Sequence, residues 1–523
     1  MQPSSQLPTT VAELQAMLSV QLALNTELSI ERDTYKKDIA DLRLSKISDA
    51  EEIKRLGLLI AKLKRMVFGQ KSEKLSLQIA QLELELEELH IAQGVRAPVA
   101  ELPESVERSA PKRRPLPEHL PRDIHTHMPA QANCPDCGGD WKILGEDISE
   151  ILEYIPASYR VVRHVRPRLT CACCDRMAQA PAPSRPIARS YFGPGLMSHV
   201  IVSKYMDHIP SYRQCQQAAR EGVELSESTV GDVVGGVHKL LRPLMDALQR
   251  YVFAASKLHA DDTPIDVLAP GNGKTKQGRL WVYTRDDRPA GASEALAVWF
   301  RYSADRKGIH PQTHLKDYAG ILQADAYAGY NPIYASGRVH EAACWAHARR
   351  KFYDIHQAQR TPITTYVLAQ IRDLYKIEAG IRGSPPERRR EVRQECSRPI
   401  VEALHAWLTE QLSTLSRKSV TAEAIGYAMN QWRALTRYLD DGRIEIDNNA
   451  AERALRTVAL GRKNYLFLGS DAGGERAATM YSLLGTVKLN GMNPETYLRH
   501  VLSVIADYPV NRVDELLPWN VSL

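Results

Sequence analysis

Leucine, isoleucine and valine recur every three to four positions through residues 1–92, and the recurrence changes phase once. Ile53, Leu56, Ile60, Leu63 and Val67 share one heptad stripe, while Leu75, Ile79, Leu82, Leu86 and Leu89 share another that is out of step with it. The spacing predicts a coiled-coil-like helix or helix pair whose register shifts between Gly69 and Lys74. An earlier stripe through Leu14, Met17, Leu24, Leu28, Tyr35 and Leu42 is poorer, because Glu31 and Asp38 fall on it. Between Val11 and His90 there is no proline, and Gly57 and Gly69 are the only glycines, so the common helix breakers are nearly absent. Two uses fit such a stripe: self-association as a zipper, or packing of an amphipathic helix on its own protein.

The pattern then turns irregular. Pro98, Pro103, Pro111, Pro115, Pro117 and Pro121 make residues 93–127 an extended linker. Residues 128–178 show β-branched alternation at Ile151, Tyr154, Val161, Val162 and Val165, and a proline-rich run at 180–186 follows. Residues 188–250 are helical in period. There Tyr212, Cys215 and Ala219 are expected to face inward, Gly222 to end one helix and Ser226 to cap the next. That punctuation suits a helix-turn-helix or two ordinarily packed helices.

Farther on, KLHADDTPIDVL, RLWVYTRDD and ALAVWFRYSA read as three strands, residues 305–317 as a helix, and ILQADAY as a fourth strand ending at Asp325. A short helix after Gly329, an apolar strand around Val339–Cys344 and a helix opening at Trp345 complete the order βββαβαβα. This is the order of a ribonuclease H-like sheet, in which the first strand and the end of the fourth lie together. The fold class is therefore multidomain α/β. Residues 251–475 would form the main α/β domain, with a helical insertion at about 362–435, and residues 478–523 a small C-terminal helical domain.

Charge narrows the picture. Lys+Arg 68 against Asp+Glu 62 leaves a net charge of +6, which excludes a bulk cationic coat and directs the search for nucleic-acid contacts to local basic stretches. No apolar run approaches the ~20 residues of a membrane helix, and the start MQPSSQLPTT has neither a basic leader nor an apolar segment. A cytoplasmic protein, nucleoid-associated when bound to DNA, is the expectation.

Five of the eight cysteines fall in two clusters, which favours a metal over disulfides. Cys134-Pro-Asp-Cys137 and Cys171-Ala-Cys-Cys174 each place thiolates on a tight knuckle, the geometry of a tetrahedral Zn²⁺ site in a small ribbon. Cys134, Cys137, Cys171 and Cys174 are the expected ligands, with Cys173 able to replace either of the last two. Arg163, Arg166 and Arg168 alternate with apolar positions and suit phosphates, or simply a solvated charged face.

A different chemistry gathers around the acids. Asp261 and Asp262 lie in the first strand, Asp325 at the fourth, and Glu452 opens a helix that the preceding Asp447-Asn-Asn run can cap. Carboxylates brought together in this topology suit two divalent cations about 3.5–4 Å apart, the device that serves phosphodiester cleavage by a hydroxyl. Oxygen ligands select Mg²⁺ or Mn²⁺. Trp345 is expected in the core, and Arg349, Arg350, Lys351, Arg456, Arg462 and Lys463 beside the acids as phosphate contacts.

HADDTPIDVL, GKTKQGRLWVY, QADAYAGYN, CWAHARRKF, IDNNAAERALR and LGRKNYLFLGSDAGGERAA closely resemble the transposases of insertion-sequence family 66. LKRMVFGQKSEKL and the knuckles CPDCGGD and CACCD do so as well, so the resemblance spans about residues 55 to 520 in the family's order. It implies a DDE transposase that cuts the ends of its element at terminal inverted repeats and joins the freed 3′ hydroxyls to target DNA. It also implies a catalytic triad of Asp261, Asp325 and Glu452 holding Mg²⁺ or Mn²⁺, a structural Zn²⁺, small accessory proteins and a helical insertion between Asp325 and Glu452. Two ends must be processed together and the heptads offer a route to pairing, so a homo-oligomer is expected, while the insertion, with its basic run Arg388–Arg390, suits a clamp on DNA or a partner subunit, or simply a solvated helix surface. The family reads ADET where this chain reads ADDT, so the resemblance leaves Asp261 and Asp262 both open as ligand. A catalytically silent zinc-ribbon DNA-binding protein derived from such an enzyme is the alternative, and it would be expected to have lost an acid.

Overall fold

A computed structural model describes residues 159–166, two strands at 168–170 and 177–179, and residues 183–522 apart from 272 and 417. The N-terminal helical stripe, the linker and the four cysteine ligands lie outside the described residues. The chain divides into two units: the larger takes in residues 183–215 and 225–522, the smaller the described part of 159–179 and residues 216–224.

In the smaller unit β1 (Arg168–Thr170) pairs antiparallel with β2 (Met177–Gln179), with Leu169 opposite Ala178. Arg163 and Arg166 are exposed in the extended segment before β1.

The larger unit opens with α1 (Pro194–Tyr205) and the first half of α2 (Ser211–Arg220), whose residues 216–220 belong to the smaller unit, and continues with α3 (Glu227–Leu240) and α4 (Arg242–Phe253). Gly222 adopts a φ of 79°, so α2 stops with the Gly222 and Val223 N–H groups donating back to Ala219 and Ala218 at 3.1 and 2.9 Å. Ser226 caps α3 by accepting the Thr229 N–H at 3.1 Å. The inward face of α2 differs from the sequence expectation: Tyr212 and Ala219 are exposed and Cys215 half-buried, whereas Gln214 and Ala218 are buried. The cause is a polar anchor that hydropathy does not register, the Gln214 amide donating to the carbonyls of Val200 and Ile209 at 3.3 and 3.0 Å.

Five strands follow: β3 (Lys257–Val267), β4 (Lys276–Arg285), β5 (Ala297–Ser303), β6 (Gly320–Gln323) and β7 (Val339–Ala342). Their order across the sheet is β5-β4-β3-β6-β7, antiparallel from β5 to β3 and parallel from β3 to β7. Helices α5 (Ile309–His314) and α6 (Asn331–Ala335) make the crossovers from β5 to β6 and from β6 to β7, and α7 (Trp345–Ala358) follows the last strand. The expected helix over 305–317 is cut to six residues, because Asp305 accepts the Lys307 N–H and the His310 side chain and so holds the entry as a turn. The fourth strand ends at Gln323, so Asp325 stands two residues beyond the ladder.

Helices α8 (Pro362–Gly380), α9 (Pro386–Val392), α10 (Arg398–Thr414), α11 (Val420–Asn430) and α12 (Trp432–Thr436) fill the expected insertion, and α13 (Asn449–Asn464), α14 (Asp471–Leu489) and α15 (Pro494–Val504) end the fold. The first core joins α1, α3 and α4 to β3–β5, α14 and α15 through residues such as Val230, Trp281, Tyr283, Leu484 and Val501. The second lies mainly in the insertion and reaches the sheet at Ile321 and Ala342 and α7 at Trp345 and Phe352. Each fully buried large side chain contributes roughly 1.5–3 kcal/mol. Edge strand β5 is covered by α14, whose Ser482 and Thr486 hydroxyls accept the Phe300 and Val298 N–H groups at 2.7 and 3.1 Å.

The basic run Arg388–Arg390 does not present a uniform cationic face. Arg389 is buried and donates to the Gly442 carbonyl and to Glu445, both at 2.8 Å, while neighbouring Arg393 grips Glu378 through two bonds of 2.7 and 2.6 Å. Acceptors far along the chain decide this, and no pattern local to the run announces them. Among the described residues no helix is long and apolar enough to cross a membrane.

Candidate active site

The parallel register of β3 and β6 brings two acids level. Lys257, Leu258 and His259 sit opposite Ile321, Leu322 and Gln323, and two more residues along both strands lead to Asp261 and Asp325. Neighbouring strands lie about 4.8 Å apart, so the short reach from the ladder's end keeps these carboxylates adjacent.

Glu452 arrives from α13, which packs on β3 and β4. It is the fourth residue of that helix and is buried. Asn448 precedes the helix, yet its side chain makes no cap. Instead its Nδ2 donates to the Ala260 carbonyl at 2.9 Å, and its Oδ1 accepts from Nδ1 of His259 at 3.1 Å. Burial first, and Lys257 second, push His259 down to about 3, so the ring is neutral and Nδ1 is its donor. Capping passes to Asp447, which accepts the Asn449 N–H at 3.2 Å. The Asn448 N–H goes to Cys344 Sγ at 3.2 Å, and the Trp345 N–H to the Ile446 carbonyl at 3.0 Å. Asn448 thus clasps the start of the Glu452 helix to the residue before Asp261. Asn448→Ala would leave the Ala260 carbonyl and the His259 donor without their partner, at about 1–3 kcal/mol each. A melting temperature lower by several degrees in a thermal scan is expected, and an unchanged one would contradict the clasp.

The electrostatics of the cluster agree with its geometry. Burial, then the negative fields of Asp325 and Glu452, hold the Asp261 carboxyl well above the usual carboxylate range, and His347 opposes them. The Asp262 N–H donates to Asp261 Oδ1 at 2.7 Å. His347, half-exposed on α7, holds Nε2 3.8 Å from Glu452 Oε1. Cys344, His347 and Glu452 offer ligand atoms within 4.8 Å of one another. The Cys344 thiol itself is pushed up by burial and by the Glu452 and Asp447 charges, which keeps it protonated and a weak ligand.

Asp262 faces the other side of β3, as strand alternation requires. Its carboxylate takes Arg306 at 3.0 and 2.9 Å on Oδ1 and Arg279 at 3.1 Å on Oδ2. Arg306 Nη2 also stands 3.6 Å from Asp325 Oδ2.

Of the expected phosphate contacts, Arg349 lies over the Tyr353 ring at 5.1 Å and Lys351 over Tyr427 at 5.5 Å, both on α7 with Arg350. Arg456 is half-buried on α13 and Lys463 exposed at its end. Arg462 is half-buried near the end of α13 and donates to the Pro264 carbonyl. Trp345 is buried, as expected, with Nε1 donating to Leu435 at 2.8 Å. Sequence reasoning missed Arg279, Arg306 and the roles of His259 and Asn448.

An α/β sheet with acids gathered where two parallel strands meet a helix start defines a candidate metal-dependent enzyme. The chain belongs to the IS66 transposase family, since residues 189–476 match the family described as Transposase IS66 family. Residues 131–175 match the zinc-finger binding domain of transposase IS66, residues 55–124 Transposase C of IS166 homeodomain, and residues 482–519 the IS66 C-terminal element. Uncharacterized protein y4hP of Sinorhizobium fredii is 40% identical over 487 residues, covering 89% of this chain and 88% of the relative. Uncharacterized protein y4qI of the same organism is 36% identical over 541 residues, covering 99% and 98%.

Proposed function

We propose that this transposase is a DDE-type polynucleotidyl transferase that cuts the terminal inverted repeats of its element and joins the freed 3′ ends to target double-stranded DNA. The convergence of Asp261, Asp325 and Glu452 carries the reading, and the strand order β5-β4-β3-β6-β7 supports a ribonuclease H-like catalytic domain. The three acids would hold Mg²⁺ or Mn²⁺. Their donor set is all oxygen, and the mutual repulsion that raises the Asp261 carboxyl is the kind of crowding a divalent cation relieves. Such ions, when bound, supply activation of the attacking oxygen and neutralise charge on the leaving one.

The chain's own residues do the rest. Asn448 and the backbone bonds around it fix Glu452 against β3, so the acids are set before DNA arrives. His347 lies beside Glu452 and limits its swing. Arg349, Arg350, Lys351, Arg456 and Lys463 would neutralise the DNA backbone nearby, and the helical insertion would clamp DNA or a partner subunit. Asp261 is favoured over Asp262 as ligand, because the Asp262 carboxylate is already taken by two guanidinium groups.

Farther toward the N-terminus, Cys134, Cys137, Cys171 and Cys174 would hold one structural Zn²⁺, with Arg163, Arg166 and Arg168 contributing to end binding. The coiled-coil-like residues 1–92 would pair subunits into a homo-oligomer, and small accessory proteins of the element are further partners. Cys134→Ser should release about one zinc per chain on metal analysis and weaken end binding; unchanged zinc would remove Cys134 from the ligand set.

The function itself is tested with purified full-length chain, a DNA fragment carrying an element end, and Mg²⁺ or Mn²⁺. Cleavage at the end with a free 3′ hydroxyl, followed by joining to a second duplex, is expected. End binding without cleavage under any divalent ion would favour the silent DNA-binding alternative.

A further inference from the structure

We propose that Asp262, Arg279 and Arg306 form a DNA-phosphate site at the edge of the acidic centre, with Asp262 as its anchor rather than a metal ligand. The inference rests on the function proposed above and says where the substrate backbone lies.

The charge arithmetic comes first. One carboxylate, 2% exposed, binds two guanidiniums, so Asp262 by itself balances only one of them, and Arg306 reaches on toward Asp325 at 3.6 Å. A single acid suffices to fix one arginine, and the second leaves a positive excess beside a cluster of negative charge. That excess adds an attraction for the DNA backbone directly beside Asp325, where the acids alone repel it.

The form of Arg306 agrees. Its Nε and Nη2 both reach Asp262 Oδ1, at 3.0 and 2.9 Å, which uses two of the five N–H donors a guanidinium offers. Its plane lies over the Tyr327 ring, 4.4 Å from the centroid, and the Tyr327 hydroxyl donates to the Arg306 carbonyl. The head group is therefore held on one edge and one face, while the side chain is 39% exposed. An arginine kept solely for packing would be covered; one held rigid and left open is suited to planar recognition of a phosphate.

Position completes the argument. Arg306 Nη2 lies 3.6 Å from Asp325 Oδ2, so a phosphate on Arg306 is next to the reacting centre. Arg279 sits behind it, 17% exposed and donating to Asp262 Oδ2 at 3.1 Å and to Gln277 at 3.3 Å. It reinforces the site from the floor. Cross-strand pairing sets it there, since Arg279 stands opposite Pro264, two residues along from Asp262 on the same face of β3.

The test uses full-length protein and a fluorescent duplex carrying the element end. Anisotropy titrations from 50 to 200 mM salt, roughly the range over which phosphate contacts show, give the slope of log affinity against log salt. Arg306→Ala should lower the slope by about one and weaken binding several-fold, Arg279→Ala should do the same or less, and Arg306→Lys should restore part of the slope. In parallel, Mn²⁺ binding without DNA is read from the loss of the free-ion electron paramagnetic resonance signal. Asp262→Asn should bind Mn²⁺ like the parent chain, whereas Asp325→Ala should not. Parental salt slopes in both arginine variants, or loss of Mn²⁺ binding in Asp262→Asn, would overturn the assignment. If Asp325→Ala still cleaves DNA, the proposed function itself fails; if it is inactive while the arginine variants bind with the parental slope, this site alone is withdrawn.

Discussion

Asp325→Ala is expected to lower end cleavage by a factor on the order of 10³ or more while leaving end binding in a gel shift nearly intact. The size follows from what the carboxylate would hold. Charge stabilisation by a bound divalent ion contributes several kcal/mol to the transition state, and each 1.36 kcal/mol is about tenfold in rate. The selectivity follows from the structure. Asp325 stands two residues past the end of β6, in no ladder and only partly buried, so its loss leaves the sheet bonds untouched. The same change relieves the repulsion at Asp261, removes a neighbour of Arg306 and loses one turn bond, the Tyr327 N–H donated to Asp325 at 3.3 Å, a cost small beside the loss of cleavage. Cleavage by the variant at near the parental rate would remove Asp325 from the centre.

The second large effect is on stability. Glu378→Ala should destabilise the protein by roughly 3–5 kcal/mol, because it strands buried charge. Glu378 is the shared partner of Arg393, through two bonds of 2.7 and 2.6 Å, and of Arg389 at 3.4 Å, and both arginines are at most 1% exposed. Arg393 also donates to the carbonyls of Tyr438 and Asp441 at 2.8 and 3.2 Å, tying α8 to the return segment. The damage should reach the acids. Arg389 holds Glu445, whose backbone exchanges bonds of 2.6 and 3.2 Å with the Gln323 side chain, two residues from Asp325. A lower melting temperature with faster proteolysis within residues 362–435 is expected. Pairing Glu378→Leu with Arg393→Met should recover most of the loss, since no unpaired charge remains. A single variant as stable as the parent would show that the network carries little weight.

The contrast between these residues explains how much was legible in the sequence. The five strands and the helix carrying Glu452 were readable because each has its own local period, and the βββαβαβα order then put Asp261 and Asp325 on neighbouring strands. The Asp447-Asn-Asn run was read as able to cap the Glu452 helix, and Asp447 accepts the Asn449 N–H there, but nothing in the run told of the second use of Asn448. Its actual bonds run to Ala260 and His259, 188 and 189 residues away, where no local pattern can point. Asp262 and Asp261 were indistinguishable as letters, and only the two arginines from β4 and the loop after β5 separate them. Arg388, Arg389 and Arg390 are alike in sequence, and only the fold singles out Arg389 by bringing Glu378 and Glu445 to it. Tyr212 was misassigned to the core for a related reason: the buried face of α2 is fixed by a glutamine. Periodicity is local, whereas buried polar bonds are decided by the tertiary fold.

The central claim is that Asp261, Asp325 and Glu452 share divalent ions. The most direct measurement is anomalous scattering from crystals of the chain with an element-end duplex, grown in Mn²⁺. Manganese peaks are expected among these three carboxylates, with Asp262 still on its arginines. Peaks elsewhere, with the three acids unliganded, would contradict it.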